Sequence, residues 1–192
     1  MKRSLIGLSL VLVVVGMVAV AGPVSRRAQR AWSHHTAAVA WEENLAFSLE
    51  PSCDEPVARI KIPAVDLDTW VLGGATADHL HRFPSREQVG RSTLIMAHRD
   101  TDFRPLIRLA AGQDIELQAH DGSRRRYRVL EILVVEAGRA EELIEDQRYR
   151  ERLLLLTCYP FRYLGSAPER FLALAAPLGG DDEAEAQNIH RP

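Results

Sequence analysis

Three side chains in the sequence, those of Cys158, His98 and Arg170, could together transfer an acyl group. Near neutral pH a thiol is mostly protonated, and a neighbouring imidazole can accept its proton to leave a nucleophilic thiolate. The thiolate can attack a carbonyl carbon, and a guanidinium can donate hydrogen bonds to the oxyanion that results. Because each residue type is common outside active sites, the prediction depends on the fold bringing all three together.

The three residues stand at the ends of predicted strands. Cys158 ends the apolar run LLLLTC, His98 ends the run STLIMAH, and Arg170 begins RFLALAA. Short continuous apolar runs predict buried strands, and a nucleophile must lie at the edge of such a core to meet its substrate. If the last two strands are antiparallel neighbours, and if the His98 strand runs parallel beside the Cys158 strand, all three residues meet at one rim of the sheet.

The chain after residue 56 is rich in strand patterns. VARIKI and VDLDTWVL alternate apolar and polar residues, and QDIELQA and RRYRVLEILVV flank an Asp-Gly turn at residues 121–122, which predicts a hairpin. Helical signals are short: an N-cap at Thr76, a short helix or turn within residues 101–112, and a polar segment at residues 139–152. Seven or eight short strands with few helices predict a mostly β domain, either a barrel or a sandwich.

The beginning of the chain predicts a membrane segment. Residues 4–22 are uncharged and mostly apolar, and a helix of that length spans roughly 28 Å, close to the thickness of a hydrocarbon core. We expect an uncleaved anchor, with cleavage after the Ala-Val-Ala at residues 19–21 as the alternative. The predicted organisation is therefore a membrane anchor or signal (1–25), a juxtamembrane helix and linker (26–55), a catalytic domain (56–178) and a disordered acidic tail (179–192).

Composition narrows the function classes. The net charge is −2, from 24 basic and 26 acidic residues, and the arginines are scattered, which argues against a nucleic-acid-binding protein. Only two cysteines occur, Cys53 and Cys158. In an oxidising compartment these residues would tend to pair, so a membrane-anchored β-domain with a structural Cys53–Cys158 disulfide is the non-enzymatic alternative.

Three segments resemble motifs of the sortases, the membrane-anchored cysteine transpeptidases. LLLLTCYPF (153–161) is similar to their Thr-Leu-x-Thr-Cys signature, LIMAHRDTDFRPL (94–106) resembles their histidine segment, and GSAPERFLALA (165–175) looks like the segment that carries their arginine. The order and spacing of the motifs also agree with the family over residues 56–178. The Cys-Tyr-Pro-Phe ending looks most like the sortases of Gram-negative bacteria.

The resemblance implies a closed β-barrel behind one N-terminal transmembrane helix, at the cytoplasmic membrane with the domain on its outer side. It implies that Cys158 cleaves a protein substrate at an LPxTG-like sorting signal through a thioacyl intermediate. An amine acceptor of unknown identity, or water, would resolve that intermediate, and no cofactor or metal is implied. Thr157 and Ala97 would lie at substrate-binding positions. Two residues depart from the motifs: Leu154 stands in place of threonine, and Ala97 stands in place of a glycine beside His98.

Other residues leave alternatives open. Asp100 could orient the imidazole of His98 or could only form the turn in HRDTD. The histidines at residues 79–81 and 34–35 could be metal ligands, but they lack a second cysteine or an acidic partner at zinc spacing. A papain-like hydrolase would have its cysteine before its histidine. An L,D-transpeptidase would hold both in one short motif, whereas here they lie in separate segments.

Overall fold

The computed structural model describes residues 32–46, 51–52, 54–146 and 150–179 of the 192-residue chain. The chain divides after Val39 into two compact units, and the second unit holds the β-domain. Helix α1 covers residues 32–46. The other elements are β1 (Pro56–Ile62), β2 (Leu67–Gly73), α2 (Ala77–Arg82), β3 (Ser85–Val89), β4 (Ser92–Met96), β5 (Asp114–Ala119), β6 (Arg124–Glu136), α3 (Ala137–Glu145), β7 (Leu153–Tyr159) and β8 (Glu169–Pro177), with 3₁₀ turns at Pro63–Val65 and Arg104–Arg108.

The eight strands form a closed barrel in the order β1-β2-β3-β4-β7-β8-β6-β5. Neighbouring strands are antiparallel, except that β2 is parallel to β3 and β4 is parallel to β7. The predicted mostly β class with seven or eight strands is therefore confirmed. Of the two architectures that the patterns left open, the barrel is correct, since β1 and β5 pair and close the sheet.

Strand β3 is not predicted by the sequence patterns. Its sequence, SREQV, has one large apolar residue, and only Ser85 is buried. The strand forms because it pairs with β4 along its whole length and with β2 at its first two residues. Its backbone hydrogen bonds thereby complete the ring between β2 and β4.

Side chains alternate between two apolar layers in the strands that carry the site. Ile95, Leu153 and Leu155 are fully buried in the barrel interior. Leu154 and Leu172 face outward, where they form a second cluster with Leu143 of α3. Because successive side chains of a strand point to opposite faces, β7 must be apolar on both of them. This requirement explains the uninterrupted run of leucines that precedes Cys158.

Two predicted local signals are confirmed. Thr76 caps α2, since its hydroxyl oxygen accepts a hydrogen bond from the backbone N–H of His79 at 3.2 Å. Gly122 closes the β5–β6 turn with a φ of +82°, a conformation that glycine adopts without steric cost. The polar segment predicted to be helical does form α3, but the helix ends at Glu145.

Several predicted features lie outside the described residues: the apolar segment at residues 4–22, Cys53, and the acidic segment from residue 180 onward. In the described ranges no helix is long and apolar enough to cross a membrane. The anchor and the division of the chain into four segments stay predictions.

Candidate active site

We call three residues the row: Cys158, its cross-strand partner Arg170, and His98, which follows the neighbouring strand β4. Cys158 on β7 is directly opposite Arg170 on β8, in an antiparallel pair. Strand β4 runs parallel to β7 with Met96 beside Leu156. Strand β4 ends at Met96, two residues before the strand end predicted at His98. The register of β4 and β7, continued for two residues, leads to His98 and Cys158. Both strand relations on which the predicted meeting depended are therefore present.

Strand alternation puts Cys158 and Arg170 on the outer face of the barrel. Cys158 shares its face with Leu154 and Leu156, and Arg170 shares its face with Leu172, because side chains two residues apart point the same way. These leucines belong to the outer apolar cluster that α3 covers. The half-buried thiol thus lies at the end of that cluster, where β7 ends. A substrate can reach it from the barrel surface.

Two hydrogen bonds join the strands next to the row. The hydroxyl of Thr157 donates to the backbone carbonyl of Ala97 at 2.7 Å, and the backbone N–H of Ala97 donates to the carbonyl of Leu156 at 3.3 Å. Since Cys158 follows Thr157 and His98 follows Ala97, these bonds help to set the separation of thiol and imidazole. Thr157 and Ala97 therefore have a positioning contact, while their role in binding substrate stays a prediction.

The guanidinium of Arg170 is oriented by the backbone that leads into β8. Its Nη1 atom donates to the carbonyl of Ala167 at 3.1 Å and to the carbonyl of Glu169 at 2.9 Å. A guanidinium carries five N–H donors, so three are left for another acceptor. Held in this way across the strand pair from Cys158, the group can donate to an oxygen bound near the thiol.

Comparison with known proteins identifies the family. The family model of the sortase domain matches residues 60–178, more than half of the chain. The chain belongs to the sortase family. Sortase D of Bacillus subtilis strain 168 is 27% identical to it over 134 residues, which cover 65% of this chain and 65% of that relative. The chain thus spans just under two thirds of the length of this curated relative.

Solved sortase structures share the barrel. A sortase D5 transpeptidase of Clostridium perfringens superposes with a TM-score of 0.60 at 19% identity, over 78% of this chain and 98% of that chain. Sortase A of Corynebacterium diphtheriae has a TM-score of 0.55 at 22% identity, over 67% of this chain and 64% of its own. These structures support the fold. The predicted resemblance to sortases is confirmed, and the Gram-negative subgroup stays a prediction.

Arg99 ties the β7–β8 loop of this sortase to the histidine segment. Its Nη2 atom donates to the carbonyls of Tyr163 at 2.9 Å and Gly165 at 3.0 Å, and its guanidinium carbon lies 5.8 Å from the centroid of the Tyr163 ring. The loop is thereby held against the residue that follows His98. Arg99 was not among the predicted site residues, although its place directly after His98 was a usable signal.

A second imidazole lies against His98. The ring centroid of His81, on α2, is 5.4 Å from that of His98, and the two ring planes are tilted by 37°. The buried ring of His79 has its Nδ1 atom 2.9 Å from the carbonyl oxygen of Gly74. In the part of the chain that the structure describes, no group of three or more histidine, cysteine, aspartate or glutamate side chains could hold a metal. The ring contact makes His81 a neighbour of His98. The HLH pattern did not predict this contact.

Asp100 follows His98 by two residues. It is exposed in the turn after His98, and among the described residues no hydrogen bond joins the two side chains. The turn is closed by the N–H groups of Thr101 and Phe103, which donate to the carbonyl of His98 at 3.4 Å and 3.2 Å. The geometry fits a turn residue, and the orienting role of Asp100 stays a prediction.

Cys158 is a free thiol. The sortase family does not favour the non-enzymatic alternative, which requires Cys158 to be half of a disulfide. Its proposed partner, Cys53, lies outside the described residues.

Proposed function

We propose that this sortase is a cysteine transpeptidase in which Cys158 is the nucleophile, His98 transfers protons and Arg170 stabilises the oxyanion. The observation that carries the proposal is the cross-strand pair of Cys158 and Arg170, supported by the parallel β4–β7 pairing that ends two residues before His98 and Cys158. Groups carried by paired strands are held more tightly than groups on loops. The barrel can therefore present the three side chains in an arrangement suited to acyl transfer.

The reaction has two acyl-transfer steps. His98 accepts the thiol proton, and the sulfur of Cys158 forms a bond to the carbonyl carbon of the substrate amide. Arg170 donates to the oxyanion, and when the C–N bond breaks, His98 returns the proton to the leaving amine. In the second step an incoming amine attacks the thioester, His98 takes its proton, and Cys158 leaves as the thiolate. Water in place of the amine gives hydrolysis.

The substrate is a protein with an LPxTG-like C-terminal sorting signal, cleaved at its Thr-Gly amide. Membership of the sortase family supports this substrate class. The β7–β8 loop beside the thiol also carries two exposed apolar side chains, those of Tyr163 (49% exposed) and Leu164 (98% exposed). Exposed apolar groups next to a reactive centre suit contact with the leucine and proline of such a signal.

We place the chain in the cytoplasmic membrane with a single span and with the barrel on the outer side. The support is the uncharged run at residues 4–22, which is long enough to cross a hydrocarbon core. The protein should then stay in the membrane fraction after high-salt and carbonate washes. Recovery of a soluble chain that begins at Gly22 would instead show cleavage after residues 19–21.

Intact mass spectrometry tests the nucleophile. Incubation of the full chain with an LPxTG-like peptide, without a strong acceptor amine, should give an adduct that carries the N-terminal part of the peptide. Cys158→Ala should abolish both the adduct and peptide cleavage without unfolding the barrel, because a half-buried thiol contributes little packing.

Cys53→Ala is the matched control and should leave turnover nearly unchanged. Its neighbours Asp54 and Glu55 would disfavour a thiolate by charge repulsion. An adduct that maps to Cys53, or turnover by Cys158→Ala, would show that the proposed mechanism is wrong.

A further inference from the structure

The end of the barrel remote from the row carries a basic groove of roughly 320 Å³ on strands β1, β5 and β6. Its side chains come from two cross-strand rows, Lys61–Glu116–Arg126 and Arg59–Gln118–Arg124. Between these rows, Ile60 and Leu117 are buried in the barrel interior. Since side chains alternate between the two faces, both rows of the groove point outward.

The positive charge of this groove is only partly neutralised. Arg59 donates to both carboxylate oxygens of Asp68 at 2.7 Å and 2.9 Å, and the Nζ of Lys61 is 3.4 Å from the same carboxylate. The three consecutive arginines at residues 124–126 are exposed, and their side chains form no hydrogen bond or ion pair with another described residue. Adjacent like charges repel, so an anion bound there would lower the free energy of the folded chain.

Strand β8 ends beside this groove, and the acidic segment follows it in the sequence. Strand β8 ends at Pro177, and the next backbone N–H, that of Leu178, donates to the carbonyl of Arg126 at 2.7 Å. The chain therefore leaves the barrel beside the row Arg126–Glu116–Lys61. The sequence continues from residue 179 as GGDDEAEAQ, which places four carboxylates within residues 181–185.

We propose that the acidic segment at residues 181–185 binds in the basic groove as an intramolecular ligand of Arg124 and Arg126. Lys61 lies three strands from Leu178, about 14 Å at the usual strand spacing. The three residues from Leu178 to Asp181 can extend by about 10 Å, and the side chains bridge the rest. Two glycines precede the carboxylates and allow the chain to turn back over the sheet.

Tethering favours this occupant over an external polyanion. A segment joined to the groove by a few residues has an effective concentration on the order of millimolar or above. The bound state is therefore populated even when the intrinsic affinity of the segment for the groove is weak. The inference is independent of the proposed function. Arg170 lies at the opposite end of β8, seven residues from Pro177 and hence roughly 23 Å away along the strand.

Carbodiimide cross-linking tests the contact directly, because Lys2 and Lys61 are the only lysines in the chain. In the full-length protein the Nζ of Lys61 should form an amide with a carboxylate within residues 181–185, identified by peptide mapping. Lys61→Arg keeps the charge but removes the amine, so this cross-link should vanish. In the wild-type background, the double variant Arg124→Gln, Arg126→Gln should lower the yield of the Lys61 cross-link at least about fivefold. About 0.5 M NaCl should lower it as much, since the interaction is electrostatic.

Several results would overturn the proposal. Cross-linking of Lys61 only to Asp68 or Glu116 would contradict it. So would a link to residues 181–185 whose yield does not change with salt or with the arginine substitutions. A link that forms only between molecules, in a mixture of unlabelled and isotope-labelled chains, would also contradict an intramolecular contact.

Inorganic polyphosphate, used as a probe, tests whether the groove is already occupied. A full chain with D181N, D182N, E183Q and E185Q should bind it several-fold more tightly than the wild type, and the arginine double variant should lose the gain. Equal affinity of the two chains would mean that the groove is open to external anions and would overturn the proposal. None of these substitutions touches the row, so peptide cleavage should be unchanged in all of them, which separates this test from that of the proposed function.

Discussion

The two ends of strand β8 differ in how their charged residues are held. At its start, Arg170 is paired with Cys158 across the β7–β8 ladder, and backbone carbonyls bind its guanidinium. At its end, the chain pairs with β6 beside the exposed arginines at residues 124–126. The first end, the rim, orients single groups. The second end, the groove, collects positive charge, and only Arg59 and Lys61 among its basic side chains are held by a carboxylate of a described residue, that of Asp68.

The two proposed roles of the barrel need different degrees of order. Acyl transfer needs its groups held within a fraction of an ångström, and buried strand pairing supplies that precision. Anion binding tolerates mobile side chains, because Coulomb attraction falls off slowly with distance. We therefore expect the rim to respond to the loss of a single hydrogen-bond donor and the groove to respond mainly to total charge.

The largest expected effect is at the rim. Arg170→Lys keeps the positive charge but loses the planar fork of donors, so kcat should fall about 10²–10³-fold, which corresponds to roughly 2.7–4 kcal/mol of lost transition-state stabilisation. The measurement is steady-state cleavage of an LPxTG-like peptide.

Arg126→Lys, at the groove, is the matched control and should leave kcat unchanged. Near-wild-type turnover by Arg170→Lys would show that Arg170 is only a charge at the start of a strand. Equal losses in both variants would remove the distinction between the two ends.

A smaller effect is expected from the buried bond next to the row. Thr157→Val preserves the side-chain shape but leaves the Ala97 carbonyl without its 2.7 Å hydrogen bond. An unsatisfied buried acceptor costs about 1–3 kcal/mol of unfolding free energy. Because His98 follows Ala97, kcat should also fall about tenfold as the imidazole shifts relative to the thiol.

Thr157→Ser keeps the hydroxyl but loses a methyl group. Its kcat should therefore be closer to the wild-type value than its free energy of unfolding is. Urea unfolding and single-turnover kinetics on both variants separate these quantities. A loss of stability in Thr157→Val with unchanged kcat would mean that the bond is structural and does not position the row.

The smallest effect is in the β5–β6 turn, next to the groove in sequence, and depends on pH. Hydrogen bonds from the hydroxyl and the backbone N–H of Ser123 hold the pKa of Asp121 below its usual value of 3.8. A carboxyl with a lowered folded-state pKa stabilises the fold above its unfolded-state pKa, and the stabilisation is lost as pH falls through the folded-state value. The wild type should therefore be slightly more stable to urea than Asp121→Asn at pH 6, and the difference should shrink below about pH 4.

Asp121 is fully exposed, so the change in the urea midpoint is expected to be small. A difference between the two chains that grows with acidity would contradict the assigned direction of the pKa shift.

Much of the rim could be predicted from sequence because its signals are local. The leucine run at residues 153–156 predicted a strand buried on both faces. Cys158, near the end of that strand, was therefore predicted to lie at the edge of the core. The HRD and Cys-Tyr-Pro-Phe segments then pointed to His98 and Cys158. The contacts of Arg99 and His81 could not be predicted in the same way, since each depends on a loop or helix that is distant in sequence and packs against the row.

The sequence by itself determined the two-faced apolar strands, the Asp-Gly hairpin, the helix cap at Thr76 and the family, because these depend on neighbouring residues or on ordered motifs. Only the tertiary structure decided that the sheet closes, that β3 joins it, and that β4 and β7 run parallel with Met96 beside Leu156. It also decided that two scattered sets of basic residues share one groove beside the exit of β8. The physical reason is that strand pairing joins residues far apart in sequence, and each partner's local pattern is compatible with many registers until packing of both faces selects one.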